Sequence, residues 1–150
     1  MLPPPFSAAE IREAHPVGLV RILEYMATGD GSRRIRASVV EASEEHVTFR
    51  EEQLLPDGSW SLLQDNEYTW KELEGHASQF PTQSATIELE TVEWLGSPTV
   101  TWRYTVSNAE QAVEMNLWFA VDQPGPPIRM VQTMGPTTQM SLEQVAVTRP

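Results

Sequence analysis

Apolar and polar residues alternate without exception over residues 99–106, and the same pattern returns, with Trp118 as its main exception, over residues 113–121. Successive side chains of a β-strand point to opposite faces, so this alternation predicts two antiparallel strands that share one apolar face. A symmetric turn at residues 107–110 would place Trp102 opposite Met115, and we expect that register. The apolar positions are Val100, Trp102, Tyr104 and Val106 in the first strand, and Val113, Met115, Leu117, Phe119 and Val121 in the second.

Turn residues divide the rest of the second half of the chain into further strands. The proline-rich segment 122–127 cannot continue a hydrogen-bonded ladder, and the Gly-Pro pair at residues 135–136 marks another turn. Residues 84–148 are therefore predicted to form a five-stranded antiparallel meander.

The alternation slips at two places, and each slip predicts a β-bulge. A one-residue bulge near residues 90–91 would place Leu89 opposite Trp102. In the last strand, the apolar parity changes between Leu142 and Val145. Because bulges bend a strand, we expect the sheet to be curved.

Two short helices are predicted, over residues 6–15 and 68–77. Each begins with the capping-box pattern, in which a Ser or Thr is followed three residues later by a Glu. The capping pairs are Ser7 with Glu10 and Thr69 with Glu72. The apolar face of the second helix consists of Trp70, Leu73, Ala77 and Phe80.

The segment 17–27 fits either a buried helix or a strand, with Arg21 as the exception among the inward positions of the strand. The Gly-Asp-Gly turn that follows is typical of a hairpin, and it favours the strand. Further strands are expected over residues 33–41 and 45–54, with a short one over residues 59–63.

Together these elements predict an α+β fold with one or two short helices packed against a curved antiparallel β-sheet. A sheet of about seven to nine strands is expected from typical strand lengths. Such a sheet would be a half-barrel or a lipocalin-like meander, similar in outline to carriers of apolar ligands. No family motif accompanies this similarity of architecture, and a fold does not fix a function.

Composition narrows the classes of function. A length of 150 residues predicts one domain with a substantial core. The formal net charge of −11 argues against binding nucleic acid or an anionic membrane through a basic surface. The sequence contains no cysteine, nucleotide motif, signal-like leader or apolar run long enough to span a membrane. We expect a cytoplasmic protein with no transmembrane segment, no metal site and no cofactor.

The methionine-rich part of the apolar face is the first candidate binding site. Methionine adapts its shape and is polarisable, so such a face suits varied apolar ligands, and one polar residue in an apolar wall often orients a ligand. The alternative, which is the commoner case, is an ordinary core between sheet and helix. The candidate ligand-binding residues are Trp102, Met115, Phe119, Met130, Gln132, Met134 and Met140.

A second cluster consists of Glu88, Arg103 and Glu114, which the expected registers place side by side on three strands. Two carboxylates about 10 Å apart across a strand approach the spacing found in inverting glycosidases. However, the arginine between them would hold both carboxylates ionised, whereas one must be protonated to act as the acid. We therefore favour an exposed ion-pair ladder and predict no catalytic residue.

Three histidines and one tryptophan complete the candidates. His15, His46 and His76 lie in different predicted elements, without the spacing of a metal site. Trp118 falls on the polar face of its strand, where it is either covered by the chain itself or exposed as a partner contact.

These observations leave three hypotheses about function. The first is a non-enzymatic carrier that binds an apolar or amphipathic small molecule on the concave face of the sheet. The second is an interaction module that forms a homodimer or docks a partner through Trp118 or a sheet edge. An enzyme ranks third because no catalytic motif is present.

Overall fold

The structure is a computed structural model that describes residues 3–76, 85–108 and 110–150. Within these residues the chain forms two short helices and nine strands. The helices are α1 (Ala8–Glu13) and α2 (Trp70–Gly75). The strands are β1 (Val20–Ala27), β2 (Gly31–Ala42), β3 (His46–Leu54), β4 (Trp60–Thr69), β5 (Ala85–Trp94), β6 (Ser97–Asn108), β7 (Val113–Ala120), β8 (Arg129–Met134) and β9 (Thr137–Thr148).

All the strands belong to one antiparallel sheet in the order β4-β3-β2-β1-β9-β8-β7-β6-β5. The pairing of β1 with β9 joins two meanders at the centre of the sheet. β4 and β5 are its two edges, so within the described residues the sheet is open and does not close into a barrel. The predicted curved sheet and five-stranded meander are confirmed, although the chain is so largely sheet that α+β describes it only loosely.

Both helices begin at their predicted capping boxes. The Ser7 hydroxyl accepts a hydrogen bond from the backbone N–H of Glu10 at 3.2 Å, and the Glu10 carboxylate accepts one from the N–H of Ser7 at 3.0 Å. Thr69 and Glu72 make the same reciprocal pair at the start of α2. Ala77 and Phe80, predicted for the second helix, lie outside the described residues. No helix in the described chain is both long enough and apolar enough to cross a membrane.

The register of the β6–β7 hairpin differs from the predicted one. Trp102 lies opposite Phe119, four positions along the strand from the predicted Met115. The turn begins later than a symmetric turn at residues 107–110, because the Asn108 side chain accepts hydrogen bonds from the N–H groups of the next residues, Glu110 at 3.1 Å among them. A shift of four residues is an even number, so every side chain stays on its predicted face and the apolar face itself is correct.

One predicted bulge is wrong and the other is confirmed. Leu89 does lie opposite Trp102, but the β5–β6 ladder runs without interruption up to a two-residue turn at residues 95–96. Leu95 has φ 50° and Gly96 has φ 79°, which is the mirror-image turn whose twist suits a tight hairpin. In β9 the register shifts where it pairs with β1, as the parity change before Val145 predicts.

The core lies between the inner face of the sheet and the two helices. Hydrophobic residues from both helices, from β2, β3, β6 and β7 and from the segments just before α1 and β1 are almost completely buried there. They are Phe6, Ile11, Leu19, Val39, Val47, Trp70, Tyr104, Leu117 and Phe119. The helices are tied together by the N–H of Ala8, which donates to the Glu74 carboxylate at 2.7 Å. This helical layer covers the centre of the sheet and leaves space beneath it.

Candidate functional site

A cavity of about 410 Å³ lies between the helices and the inner face of the sheet. Its walls come from the start of the chain, both helices, the strands near the β1–β9 pairing and the loop before β8. Most of the lining is apolar: Phe6, Ile11, Leu23, Ala37, Phe49, Leu73, Leu117, Phe119, Met130 and Leu142. This size and lining are typical of sites for small molecules.

His15, just beyond the end of α1, is one of the polar groups in the cavity wall. Its Nε2 lies 2.9 Å from Arg21 Nη1, and since a guanidinium only donates, Nε2 must be the unprotonated acceptor. Nδ1 therefore carries the proton and donates to the carbonyl of Ile11 at 2.6 Å. Burial, and then the positive charge of Arg21, lower the pKa of His15 from 6.5 to about 4, so the imidazole is neutral at pH 7.

Arg21 extends from β1 into the same cavity and is only 7% exposed. Burial is the main reason that its pKa falls to about 10, and the charge of Arg149 lowers it further. It still carries its positive charge at pH 7. No carboxylate in the described chain forms an ion pair with it, and its hydrogen-bonding partner there is His15. The cavity therefore contains a cation without a countercharge.

Gly125 places the backbone of the loop before β8 against this His–Arg pair. A Cβ at this position would lie 2.8 Å from His15 Cε1 and 3.0 Å from Arg21 Nη2, closer than side chains tolerate. The φ of Gly125 is 147°, which also favours glycine. The loop can approach the pair this closely because this residue has no side chain.

Two glutamates also line the cavity, but their oxygens are used elsewhere. Glu51 accepts a hydrogen bond from the Asn66 side chain at 2.9 Å. Glu74 accepts from the N–H of Ala8 and from Lys71 at 2.6 Å, which lowers its pKa. In the sheet register, Ala37 separates Arg21 from Glu51, so the two charged residues stand about 10 Å apart by ordinary strand spacing.

The candidate ligand-binding residues share one face of the sheet, but only two of them line the cavity. These are Phe119 and Met130. Trp102 and Met115 are partly buried and pack against the core instead. The cavity is displaced from the methionine-rich end of the face towards β1 and β2, and the contact of these residues with a ligand stays a prediction.

The remaining three candidates form a separate polar and sulfur-containing group near the β8–β9 turn. Gln132 lies opposite Met140 and donates to the Gln139 side chain at 2.9 Å. Gln139 in turn donates to the Met134 sulfur at 3.7 Å, and Met134 is 44% exposed. This group is not part of the cavity lining in the described chain.

The ion-pair cluster on the outer face has a different membership from the predicted one. Arg103 contacts Glu88 at 2.9 Å and Glu90 at 3.0 Å. Glu114 lies opposite Ser107 because of the shifted hairpin register, so it does not join the cluster. The arrangement is a partly exposed ion-pair ladder, as favoured from the sequence.

Trp118 is half-buried on the outer face. Its indole N–H donates to the Glu90 carboxylate at 3.2 Å, and the guanidinium of Arg129 lies 5.7 Å from its ring centroid. Neighbouring side chains therefore cover part of the ring, and its role as a partner contact stays a prediction. Of the other histidines, His46 and His76 are exposed, and no three metal-ligating side chains converge in the described residues.

Sequence reasoning missed the two central polar residues of the cavity. Arg21 was visible as a charged exception among inward-facing apolar positions, and that exception is the signal that could have identified it. His15 carried no comparable signal, because its contact with Arg21 depends on how α1 packs over the sheet.

No family model and no curated protein matches this chain by sequence. Two solved structures share its fold. The crystal structure of MucB superposes with a TM-score of 0.60 at 14% identity, covering 93% of this chain. This chain spans 56% of the MucB chain, a little more than half of its length.

A Bacteroides fragilis protein with a YmcC-like fold, whose name provisionally classes it as exported, has a TM-score of 0.53 at 10% identity. That match covers 90% of this chain and 97% of the other. At these identities the two likenesses establish the fold and nothing further.

Proposed function

We propose that this chain is a non-enzymatic binding protein that holds an apolar or amphipathic small molecule in the cavity beneath its helices. The observation that supports the proposal is a cavity of about 410 Å³ with largely apolar walls. An apolar ligand would make van der Waals contacts along this lining and would remove apolar surface from water. The site differs from the predicted one in its position, nearer β1 and β2 than the methionine-rich end.

The proposal is tested with N-phenyl-1-naphthylamine, an uncharged dye whose fluorescence rises in apolar surroundings. We expect saturable binding to the wild-type chain. Ala37 lines the cavity, so Ala37→Phe should fill part of it and weaken binding by at least about tenfold, which corresponds to 1.4 kcal/mol.

Ser38→Phe is the matched control, because the side chain at the next position of a strand points to the opposite face. This variant should bind the dye as the wild type does. Absence of saturable binding to the wild type, or equal weakening by both substitutions, would contradict the proposal.

The second hypothesis, an interaction module, draws support from the open edges of the sheet. Leu62 in β4 is 61% exposed and Leu89 in β5 is 69% exposed, and unpaired edges of this kind can accept another strand. A homodimer and a Trp118 contact stay predictions, as does the cytoplasmic location. The name of the Bacteroides fragilis protein provisionally classes it as exported, and that description concerns that protein alone.

A further inference from the structure

Arg21 is a buried cation for which the described chain supplies no anion. Removing a guanidinium from water is costly unless a countercharge or several acceptors replace the lost hydration. Here the neutral His15 imidazole supplies one acceptor, to Nη1. The Nε and Nη2 groups form the other edge of the guanidinium, and no protein acceptor in the described chain hydrogen-bonds to them.

We propose that this free edge of Arg21 binds the compact oxyanionic headgroup, a carboxylate or a phosphate monoester, of a single-chain amphiphile whose tail occupies the apolar cavity. The inference rests on the proposed function and specifies its ligand. An oxyanion fits the guanidinium edge because two parallel N–H groups match two oxygens, in the bidentate geometry that arginine favours.

The contact with His15 uses Nη1 of Arg21 and so leaves the Nε–Nη2 edge of the guanidinium for a ligand. Because the imidazole is hydrogen-bonded at both nitrogens, to Ile11 and to Arg21, it holds the guanidinium in one orientation. A bound anion would thus meet a preorganised donor pair and lose less affinity to side-chain ordering.

A second cation strengthens the positive potential at this end of the cavity. Arg149 follows β9 and donates to the Gln123 side chain in the loop before β8. It lies close enough to Arg21 and His15 to lower the pKa of both groups. Arg149 also has no ion-pair partner in the described chain, which is notable in a protein with a formal net charge of −11.

The acidic residues in the cavity wall favour the same orientation of the bound amphiphile, with its headgroup at Arg21. Glu51 and Glu74 also line the cavity, and each keeps its own hydrogen-bonding partners. Their charge would repel an anion, so the headgroup is expected beside Arg21 and only the tail beside the glutamates. A cationic amphiphile should bind more weakly than an uncharged one.

The test compares decanoate, decyl phosphate and decan-1-ol as competitors of N-phenyl-1-naphthylamine at pH 8. These molecules share one alkyl tail and differ in the headgroup. For the wild type we expect at least one anion to bind about tenfold to a hundredfold more tightly than decan-1-ol, the usual range for hydrogen bonds to a charged group. The tighter anion then identifies the headgroup.

Arg21→Met should abolish this preference, measured as the ratio of anion to decan-1-ol affinity in the same variant, because an apolar side chain of similar length replaces the buried charge. Arg12→Met is the charge-matched control, since Arg12 is exposed on α1 and away from the cavity, and it should keep the wild-type preference.

Two results would overturn the headgroup assignment while leaving the proposed function intact. One is dye binding by the wild type with no preference for either anion over decan-1-ol, a result that does not depend on any variant. The other is an anion preference that survives in Arg21→Met. Failure of the dye to bind the wild type would instead remove the proposed function and the headgroup assignment together.

Discussion

His15 should make the stability of this protein fall on mild acidification. Its pKa is lowered to about 4 in the folded chain by burial and by Arg21, whereas an unfolded chain titrates at the ordinary 6.5. The fold therefore favours the neutral imidazole. The stability this provides is fully present above pH 6.5 and is lost progressively as the pH falls towards 4.

The expected magnitude follows from the two pKa values. Between pH 7.5 and pH 5 the unfolded chain takes up nearly one proton at this position and the folded chain takes up almost none. That difference lowers the free energy of unfolding by about 2 kcal/mol, and by about 3 kcal/mol once the pH reaches 4.

The other charged groups facing His15 do not titrate in this range. Arg21 and Arg149 are arginines, which stay protonated throughout it, and the pKa of Glu74, a carboxylate of the cavity wall, is lowered by Lys71 and by the N–H of Ala8. The pKa values of Glu52 and Asp65 are also held low, chiefly by hydrogen bonds from Arg36 and Arg50 respectively. Comparison with a chain that lacks the His15 imidazole, between pH 5 and 7.5, then isolates the contribution of this histidine.

Urea unfolding followed by tryptophan fluorescence measures this dependence, with the midpoint and the slope determined at each pH. His15→Gln retains a polar side chain without a titrating group, so its stability should be nearly constant from pH 7.5 to 5. His46→Gln removes an exposed histidine and should behave as the wild type. A His15→Gln chain that loses stability as steeply as the wild type would refute the reasoning.

Two further substitutions test the local geometry. Gly125→Ala should destabilise the chain by about 1–3 kcal/mol in the same urea assay, because the new Cβ would lie 2.8 Å from His15 Cε1. Gly58→Ala is the control: its Cβ would meet nothing within 4 Å, so this substitution should lower the free energy of unfolding by less. Leu95→Asn should raise the melting temperature, stabilising by about 1 kcal/mol, because asparagine adopts a positive φ more readily than leucine, whose φ here is 50°. A neutral Gly125→Ala or a destabilising Leu95→Asn would contradict these assignments.

The faces of the strands could be predicted from the sequence, whereas their exact pairing could not. Alternation is a local property, so the inward position of Trp102, Phe119 and Met130 follows from parity alone. Register depends on turn geometry, which the hydrogen bonds of the Asn108 side chain and the positive φ of Leu95 decide. Neither feature can be read from an apolar–polar pattern.

The cavity was less predictable for a related reason. It combines Arg21 of β1 and His15, six residues before it, with Gly125 of the loop before β8, about 100 residues further along the chain. They meet because β1 pairs with β9 at the centre of the sheet, and no local pattern predicts that pairing. The methionine cluster was prominent in the sequence, but the cavity beneath the helices lies nearer β1 and β2 than the methionine-rich end of the sheet.

The central pairing of β1 with β9 also determines when the sheet can be completed during synthesis. The earliest strand along the described chain must wait for the latest one, so β1 keeps an unpaired edge while all the intervening residues are translated. Contacts between such distant residues slow folding, and an exposed strand edge invites aggregation in the interval. A ribosome-bound chain halted before β9 would expose β1 and β8 together, and is the form in which a chaperone would be most needed.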